Sequence, residues 1–252
     1  MLDKITPVLL TFNEAANIER TLSRLNWAAR IVVVDSFSTD DTLAILKRFS
    51  NVSLYQRAFD SHAEQWRFAT GETDIATPWI LRLDADYLLG SALIAELQSL
   101  DDDSSIVAYR IGFRYAVFSR LLPQSLYPPN TILLRQGRFQ VISRGHTEAW
   151  IVEGREKNLR SKVIHDDRKS LARWVSSQLR YMELERQTLD RSWSIKTWLR
   201  THPPLMPICV FLYCLLGRGL IFQGRAGIYY ALQRTVAEAM LSLLLLDHRL
   251  RE

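Results

Sequence analysis

"WILRLDADYLL", residues 79–89, is the stretch on which the reading of this chain turns. Its first half is bulky and apolar, as in a buried strand. It then runs into two carboxylates one residue apart, Asp84 and Asp86, with Arg82 just before them. Charge at the end of an apolar strand is costly unless something pairs it. Side chains alternate faces along a strand, so residues 82, 84 and 86 are expected to point one way. Two carboxylates on one side of an exposed strand end suit Mg²⁺ or Mn²⁺, hard cations held by one or two carboxylates plus substrate phosphates. The plainer alternative is a solvated strand end with Arg82 balancing Asp84. The tripeptide alone does not choose between them; its surroundings do.

Upstream, strands and helices alternate. "ITPVLLT" (5–11) reads as a strand, and Asn13 as the N-cap of a helix carrying Ile18, Leu22 and Leu25 on one face. "IVVVD" (31–35) is a β-branched run typical of a parallel strand. Ser38 and Asp41 resemble a capping box opening a helix through Leu43, Leu46 and Phe49. "VSLYQR" (52–57) is a third strand, and Ser61 with Glu64 a second capping box. This alternation predicts a parallel sheet covered on both faces, with ligands at the carboxyl ends of its strands. Asn13, Glu14, Asp35, Asp84 and Asp86 lie at or just past such ends. Neither a G-x-G-x-x-G nor a P-loop occurs at the expected place, so a nucleotide would be bound without those loops.

From about residue 105 the pattern changes. "SIVAYRIGFRYAVF" and "NTILLR" read as strands separated by a long loop with Pro123, Pro128 and Pro129. "KVIHDD" (162–167) is another strand, followed by a long amphipathic helix to about Thr188. The expected organisation is a catalytic domain over 1–167, with a nucleotide half to about 104 and an acceptor half from 105. An amphipathic segment follows over 168–202, then an apolar helical tail over 203–252. The tail is interrupted by Pro207 and by Gly217–Arg218, so its apolar run falls short of the roughly 20 residues that cross a bilayer. Basic residues dominate 155–200, and the net charge is +5. Apolar helices beside a basic stretch fit an anionic membrane surface; a helical cap or an oligomer interface is the alternative. A nucleic-acid partner is not expected. Two cysteines make no disulfide framework, and the N-terminus carries no signal-peptide pattern, so the expected location is cytoplasmic, peripheral on the inner membrane face.

"VLLTFNEAANIERTL", "IVVVDSFSTDDT", "HAEQWRFA" and "WILRLDAD", in this order and spacing, resemble glycosyltransferase family 2 with the GT-A fold. They cover about the first 90 residues. "GHTEAW" and "VIHDDRKSLARW" resemble the subgroup related to lipopolysaccharide-core glucosyltransferases. The resemblance implies a Rossmann-like, mainly parallel α/β sheet flanked by helices, a nucleotide-sugar donor (a UDP-sugar favoured), a divalent metal and inversion at the anomeric carbon. Carried over, Thr11, Asn13 and Glu14 line the nucleotide pocket. Asp35 bonds the base or ribose, and Gln65 and Arg67 flank the nucleotide. Asp84 lies near ribose and metal, and Asp86 ligates the metal. Many relatives have Asn at the position of Arg67 and Gly at that of Phe37, which bears on the donor sugar.

Inverting transfer needs a base for the acceptor hydroxyl and stabilisation of the leaving diphosphate. "GHTEAW" offers His146 and Glu148; Glu148 is taken as the base, against a surface charge. His165 is a third metal ligand or phosphate contact, against a turn in which Asp166 or Asp167 caps the following helix. Arg135 and Arg144 are candidate diphosphate contacts, against plain surface charge. The acceptor is expected to be lipid-linked or a glycan. Two other classes compete: a metal-dependent nucleotidyltransferase, which would show a basic glycine-rich loop after the first strand, and a non-catalytic membrane adaptor, which the intact D-x-D argues against.

Overall fold

The computed structural model describes residues 1–144, 147–188, 198–200, 202 and 205–251. The chain divides into two compact units. One comprises Met1–Phe118 and Tyr127–Arg168, the other Ser119–Leu126 and Lys169–Glu252. The loop over 119–126 thus belongs with the C-terminal helices, not with the acceptor half.

The first unit is built on β1 (Ile5–Thr11), β2 (Ile31–Asp35), β3 (Val52–Gln56), β4 (Trp79–Asp84), β5 (Tyr87–Leu88) and β6 (Ile106–Val117). A short β7 (Arg120–Leu121) falls in the second unit. Then come β8 (Asn130–Arg135), β9 (Phe139–Arg144), β10 (Thr147–Val152) and β11 (Arg155–His165). The main sheet runs β3-β2-β1-β4-β8-β6-β11-β5, while β9 and β10 form a separate antiparallel hairpin. The strands β1 to β4 pair in parallel, in the order expected of βαβ units. The strand β8 enters antiparallel between β4 and β6.

Alternation along the strands creates two cores. Leu9, Val33, Leu81 and Leu83 pack on one face with Ile18 and Leu22 of α1 (Ile18–Leu22). Val8, Val32, Val34 and Ile80 pack on the other with Ala63, Trp66 and Ala69 of α3 (His62–Gly71) and with Val141 of β9. Between them in the chain lies α2 (Thr42–Leu46), and α4 (Ser91–Gln98) adds Leu93 and Leu97 to the first core. Ser61 caps α3, its hydroxyl accepting from the Glu64 amide, as its capping box predicts. The other two caps differ from expectation. Asn17 precedes α1, and Asp41 precedes α2. Asn13 and Ser38 are instead engaged in joining the loops after β1 and β2.

The second unit contains α5 (Leu171–Thr188), α6 (Leu205–Leu212) and α7 (Gly224–Arg251). Between α6 and α7 lie a π-helical turn, Tyr213–Gly217, and a 3₁₀ turn, Leu220–Gln223. Among the described residues no single helix is long and apolar enough to cross a membrane; α6 and α7 with their turns meet that test together but are bent by 71°. Glu238, an acid inside the apolar tail, is buried and bonded by Arg200 through Nε (3.2 Å) and Nη2 (3.0 Å).

Candidate active site

The carboxyl ends of β1, β2 and β4 gather the candidate site. After β1, Asn13 adopts φ 56°. This lets its side-chain oxygen accept from the Thr39 amide (2.7 Å) while its own amide donates to the Ser38 hydroxyl (2.7 Å). The Glu14 amide donates to Thr42 Oγ1 (2.7 Å). At the end of β2, Asp35 is fully buried. Its oxygens accept from Thr11 Oγ1 (3.0 Å), Ser38 N (2.8 Å) and Ser38 Oγ (2.5 Å). Thr11 and Asp35 are also register partners across β1 and β2. Asp35 therefore shapes the loop over 36–41 and presents no oxygen to solvent. Phe37, where many relatives carry Gly, has φ 58°, the left-handed region that glycine occupies without steric penalty.

Gln65 and Arg67 come from α3. Gln65 is buried and turned onto the chain: its Nε2 donates to Ser36 Oγ (2.8 Å) and Arg57 O (3.1 Å), and its Oε1 accepts from Arg57 (2.6 Å). Arg67 donates to the Val141 carbonyl (2.9 Å) and pairs with Glu64. Both tie α3 to its neighbours.

β4 ends at Asp84, so strict alternation covers Arg82 and Asp84, and Asp86 is reached through a turn. Arg82 opposes the rise of the Asp84 carboxyl, in part as the plainer sequence reading had it, but makes its ion pair elsewhere. It is buried, donates to Thr131 O (2.9 Å) and pairs with Glu148 Oε1 at 2.5 Å, its guanidinium lying 4.9 Å from the Trp150 ring centre. Asp84 is open to solvent, yet enough protein surrounds it that burial, then the charge of Asp86, pushes its carboxyl up. Asp86 is buried and its Oδ2 lies 3.1 Å from His165 Nε2. The His165 ring is enclosed by Tyr87, Tyr115 and Tyr127, with ring centres 4.8–5.4 Å away. Burial pulls the His165 pKa down, but Asp86, then Asp84 and Asp167, outweigh it and the net shift is upward.

An anionic pair in which the charge of Asp86 raises the Asp84 carboxyl is an environment that a divalent cation relieves, and the oxygen donors of Asp84 and Asp86 fit Mg²⁺ or Mn²⁺ completed by phosphate oxygens. The three-ligand set that includes His165 is not assembled: no group of three or more His, Cys, Asp or Glu side chains poised for a metal occurs among the described residues. The Nε2 of His165 is instead the hydrogen-bond partner of Asp86 Oδ2 (3.1 Å), which holds that carboxylate.

Glu148, on β10, lies on the same side of the sheet as Asp84, whose carboxyl its charge helps to raise. Burial raises the Glu148 pKa, but Arg82 and the Trp150 indole N–H (3.3 Å) outweigh it, and the net shift is downward. Gly145 and His146 of "GHTEAW", and the side chain of Arg144, lie outside the described residues. Arg135 is placed away from the site. It pairs with Trp79 at the start of β4, five residues from Asp84 and so about 16 Å along the strand. There it bonds Asp102 (2.8 Å) and stacks 4.6 Å from the Trp79 ring centre.

Just before α5, the Ser170 hydroxyl accepts from the Arg173 amide (3.3 Å). Asp166 is buried and takes Arg20 Nη1 (2.9 Å) and Arg168 Nη2 (2.9 Å), while its amide donates to the Asp86 carbonyl (3.1 Å). Asn17 is the hub that sequence reasoning missed. It donates to Glu14 and to Asp167 (2.9 Å each) and accepts from Arg20 (2.9 Å) and the Arg168 amide (2.8 Å). It therefore locks the segment after β11 to the loop after β1. Only its fourth-position spacing from Asn13 in "FNEAAN" hinted at it.

Comparison with known proteins follows the same outline. The chain is 28% identical over 174 residues to the lipopolysaccharide core biosynthesis glycosyltransferase LpsC of Rhizobium meliloti (strain 1021), covering 64% of this chain and 62% of that protein. It is 34% identical over 112 residues to an uncharacterised glycosyltransferase of Rickettsia bellii, covering 43% and 37%. It thus spans about two fifths to three fifths of these relatives. Among solved structures, S. aureus TarS 1–349 in complex with UDP-GlcNAc superposes with a TM-score of 0.53 at 14% identity, over 99% of this chain and 92% of that one, and shares the fold. The model of glycosyl transferase family 2 matches residues 7–169, from β1 through the segment after β11, and the chain belongs to that family.

Proposed function

We propose that this chain moves a sugar from a nucleotide-sugar donor, a UDP-sugar in preference, to a membrane-linked glycan or lipid acceptor in bacterial cell-envelope polysaccharide synthesis, with inversion. The observation that carries the reading is the Asp84–Asp86 pair at the carboxyl end of β4, where the charge of Asp86 and burial raise the Asp84 carboxyl although Arg82 opposes them, the Arg82 ion pair being made with Glu148. Family membership supports glycosyl transfer. The lipopolysaccharide-core role in the name of LpsC supports an envelope acceptor, and the UDP-GlcNAc held by TarS supports a UDP-sugar.

In this reading the loops after β1 and β2, braced by Thr11, Asn13, Asp35 and Ser38, form the wall for the nucleoside. A divalent cation held by Asp84 and Asp86 supplies Lewis-acid charge for the leaving diphosphate. His165 and the Asp166 amide hold Asp86 in place. Glu148, anionic at neutral pH, accepts the proton of the acceptor hydroxyl; its pairing with Arg82 keeps it ionised at a cost in basicity. We place the protein peripherally on the cytoplasmic face of the membrane. Ile221 and Phe222 in the turn before α7 are exposed, as are Leu212 and Leu216, and Arg225 follows them. Leu241, deep in the apolar tail, is instead buried in the unit.

The test is nucleotide release from a panel of nucleotide sugars with Mn²⁺ or Mg²⁺, by wild type and Asp86→Asn. Metal-dependent UDP release that the variant loses supports the proposal. A folded wild type that binds and cleaves no nucleotide sugar refutes it.

A further inference from the structure

Two half-buried arginines of the second unit make no ion pair among the described residues. Arg234 lies on α7, one turn beyond Tyr230 and so on the same face. That face is the inner one, for Tyr230, Ala237 and Leu241 are buried. Arg234 is half-buried and makes no hydrogen bond or ion pair among the described residues, and its Nε is buried without a partner. Arg218, in the turn after α6, is also half-buried, with a buried, unpartnered Nε. Its contacts are neutral: Nη1 to Gln124 Oε1 at 3.2 Å, and the Tyr213 ring, whose centre lies 5.3 Å from the guanidinium carbon.

The segment over 124–126 brings the two together. Gln124 takes Arg218, and two residues on the Leu126 amide donates to the Tyr230 hydroxyl at 2.8 Å. Both guanidiniums act on the same two groups. Burial pushes the Cys214 thiol and the Tyr230 hydroxyl up, and Arg234 and Arg218 each oppose that rise. The neighbouring acid is committed: Glu238, one turn past Arg234, holds Arg200 with both carboxylate oxygens. Half-buried charge without a partner is unfavourable for folding, and two like charges in one place more so. Guanidiniums are moreover the side chains best shaped for phosphate oxygens.

We propose that Arg218 and Arg234, with Gln124 and Tyr230, form a site for a phosphate group, either of a lipid or of a soluble phosphate ester. The site lies within the second unit, and its occupancy is read without any sugar transfer.

The full chain is tested as wild type, Arg234→Gln, Arg218→Gln and Arg234→Lys. Inorganic phosphate is titrated at constant ionic strength, with thermal unfolding as the readout. Flotation on phosphatidic-acid and on neutral phosphatidylcholine vesicles forms the second arm. Phosphate-dependent stabilisation of wild type that weakens at least tenfold in apparent affinity in both Gln variants supports the site with a soluble source. Flotation on phosphatidic acid alone, lost in both Gln variants, supports it with a lipid source. Arg234→Gln should melt no lower than wild type in chloride, since it removes an unmatched charge, and Arg234→Lys should retain part of the binding. Neither probe binding to folded wild type, or binding that survives in both Gln variants, overturns the proposal.

Discussion

Replacing Arg82 with Met tests the junction on which the site rests. Arg82 and Glu148 are both largely enclosed, with side-chain exposures of 8% and 13%. Arg82→Met leaves Glu148 buried with only the Trp150 indole beside it and removes the donor to Thr131 O. Breaking a buried pair from one side costs about 3–5 kcal/mol, because the remaining charge is uncompensated. At roughly 2–4 °C per kcal/mol for a domain of this size, the melting temperature falls by about 6–20 °C. Arg82→Met/Glu148→Met removes both charges and fills similar volume, so it should recover most of that loss. Urea unfolding of wild type, both singles and the double gives the coupling. The pH dependence has a fixed sign. The folded-state pKa of Glu148 is depressed, so its contribution is present above the unfolded value near 4.5 and is lost as pH falls through the folded value. That acid-side loss should vanish in the double variant. A loss below about 1 kcal/mol in Arg82→Met, or a double variant as unstable as the sum of the singles, would refute the claim that this pair is buried and coupled.

Glu148→Gln should lower turnover by about 10²-fold or more with donor affinity nearly unchanged; a fall in donor affinity at full saturated turnover would make Glu148 a binding residue. Asn17→Ala removes the hub between Glu14, Arg20, Asp167 and the Arg168 amide and should cost about 2–4 kcal/mol in urea unfolding, since several polar groups lose partners at once. Phe37→Gly relieves a left-handed φ and should leave stability the same or raise it by up to about 1 kcal/mol, whereas a clear loss in thermal unfolding would mean the exposed ring is packed in solution. Gly227→Ala places a Cβ 2.0 Å from the Leu220 carbonyl oxygen and should unsettle the turn before α7 by about 1–3 kcal/mol, read as a lower melting temperature.

The succession of strands and helices along the first 90 residues was legible because it rests on local signals. β-branched runs, a capping box at Ser61 and carboxylates at strand ends each depend on a few neighbouring residues, and together they imply a parallel sheet with its site at one edge. The roles of individual charges were not legible, because a charge is paired by whatever the fold brings near it. Arg82 stands two residues from Asp84 in sequence but pairs with Glu148, 66 residues on. Arg135 looked like a phosphate contact but sits at the other end of β4, on Asp102. Asp166 and Asp167, which resemble helix caps in the sequence, serve Arg20 and Asn17, about 150 residues away. Asn13 and Ser38 looked like caps because each precedes an apolar helical pattern, yet a shorter route to satisfied amides existed across the gap between two loops. Local propensity therefore determined which elements form and where the site's edge lies. Only tertiary packing decided which charge neutralises which, since electrostatic pairing follows distance in space and burial, neither of which the order of residues records.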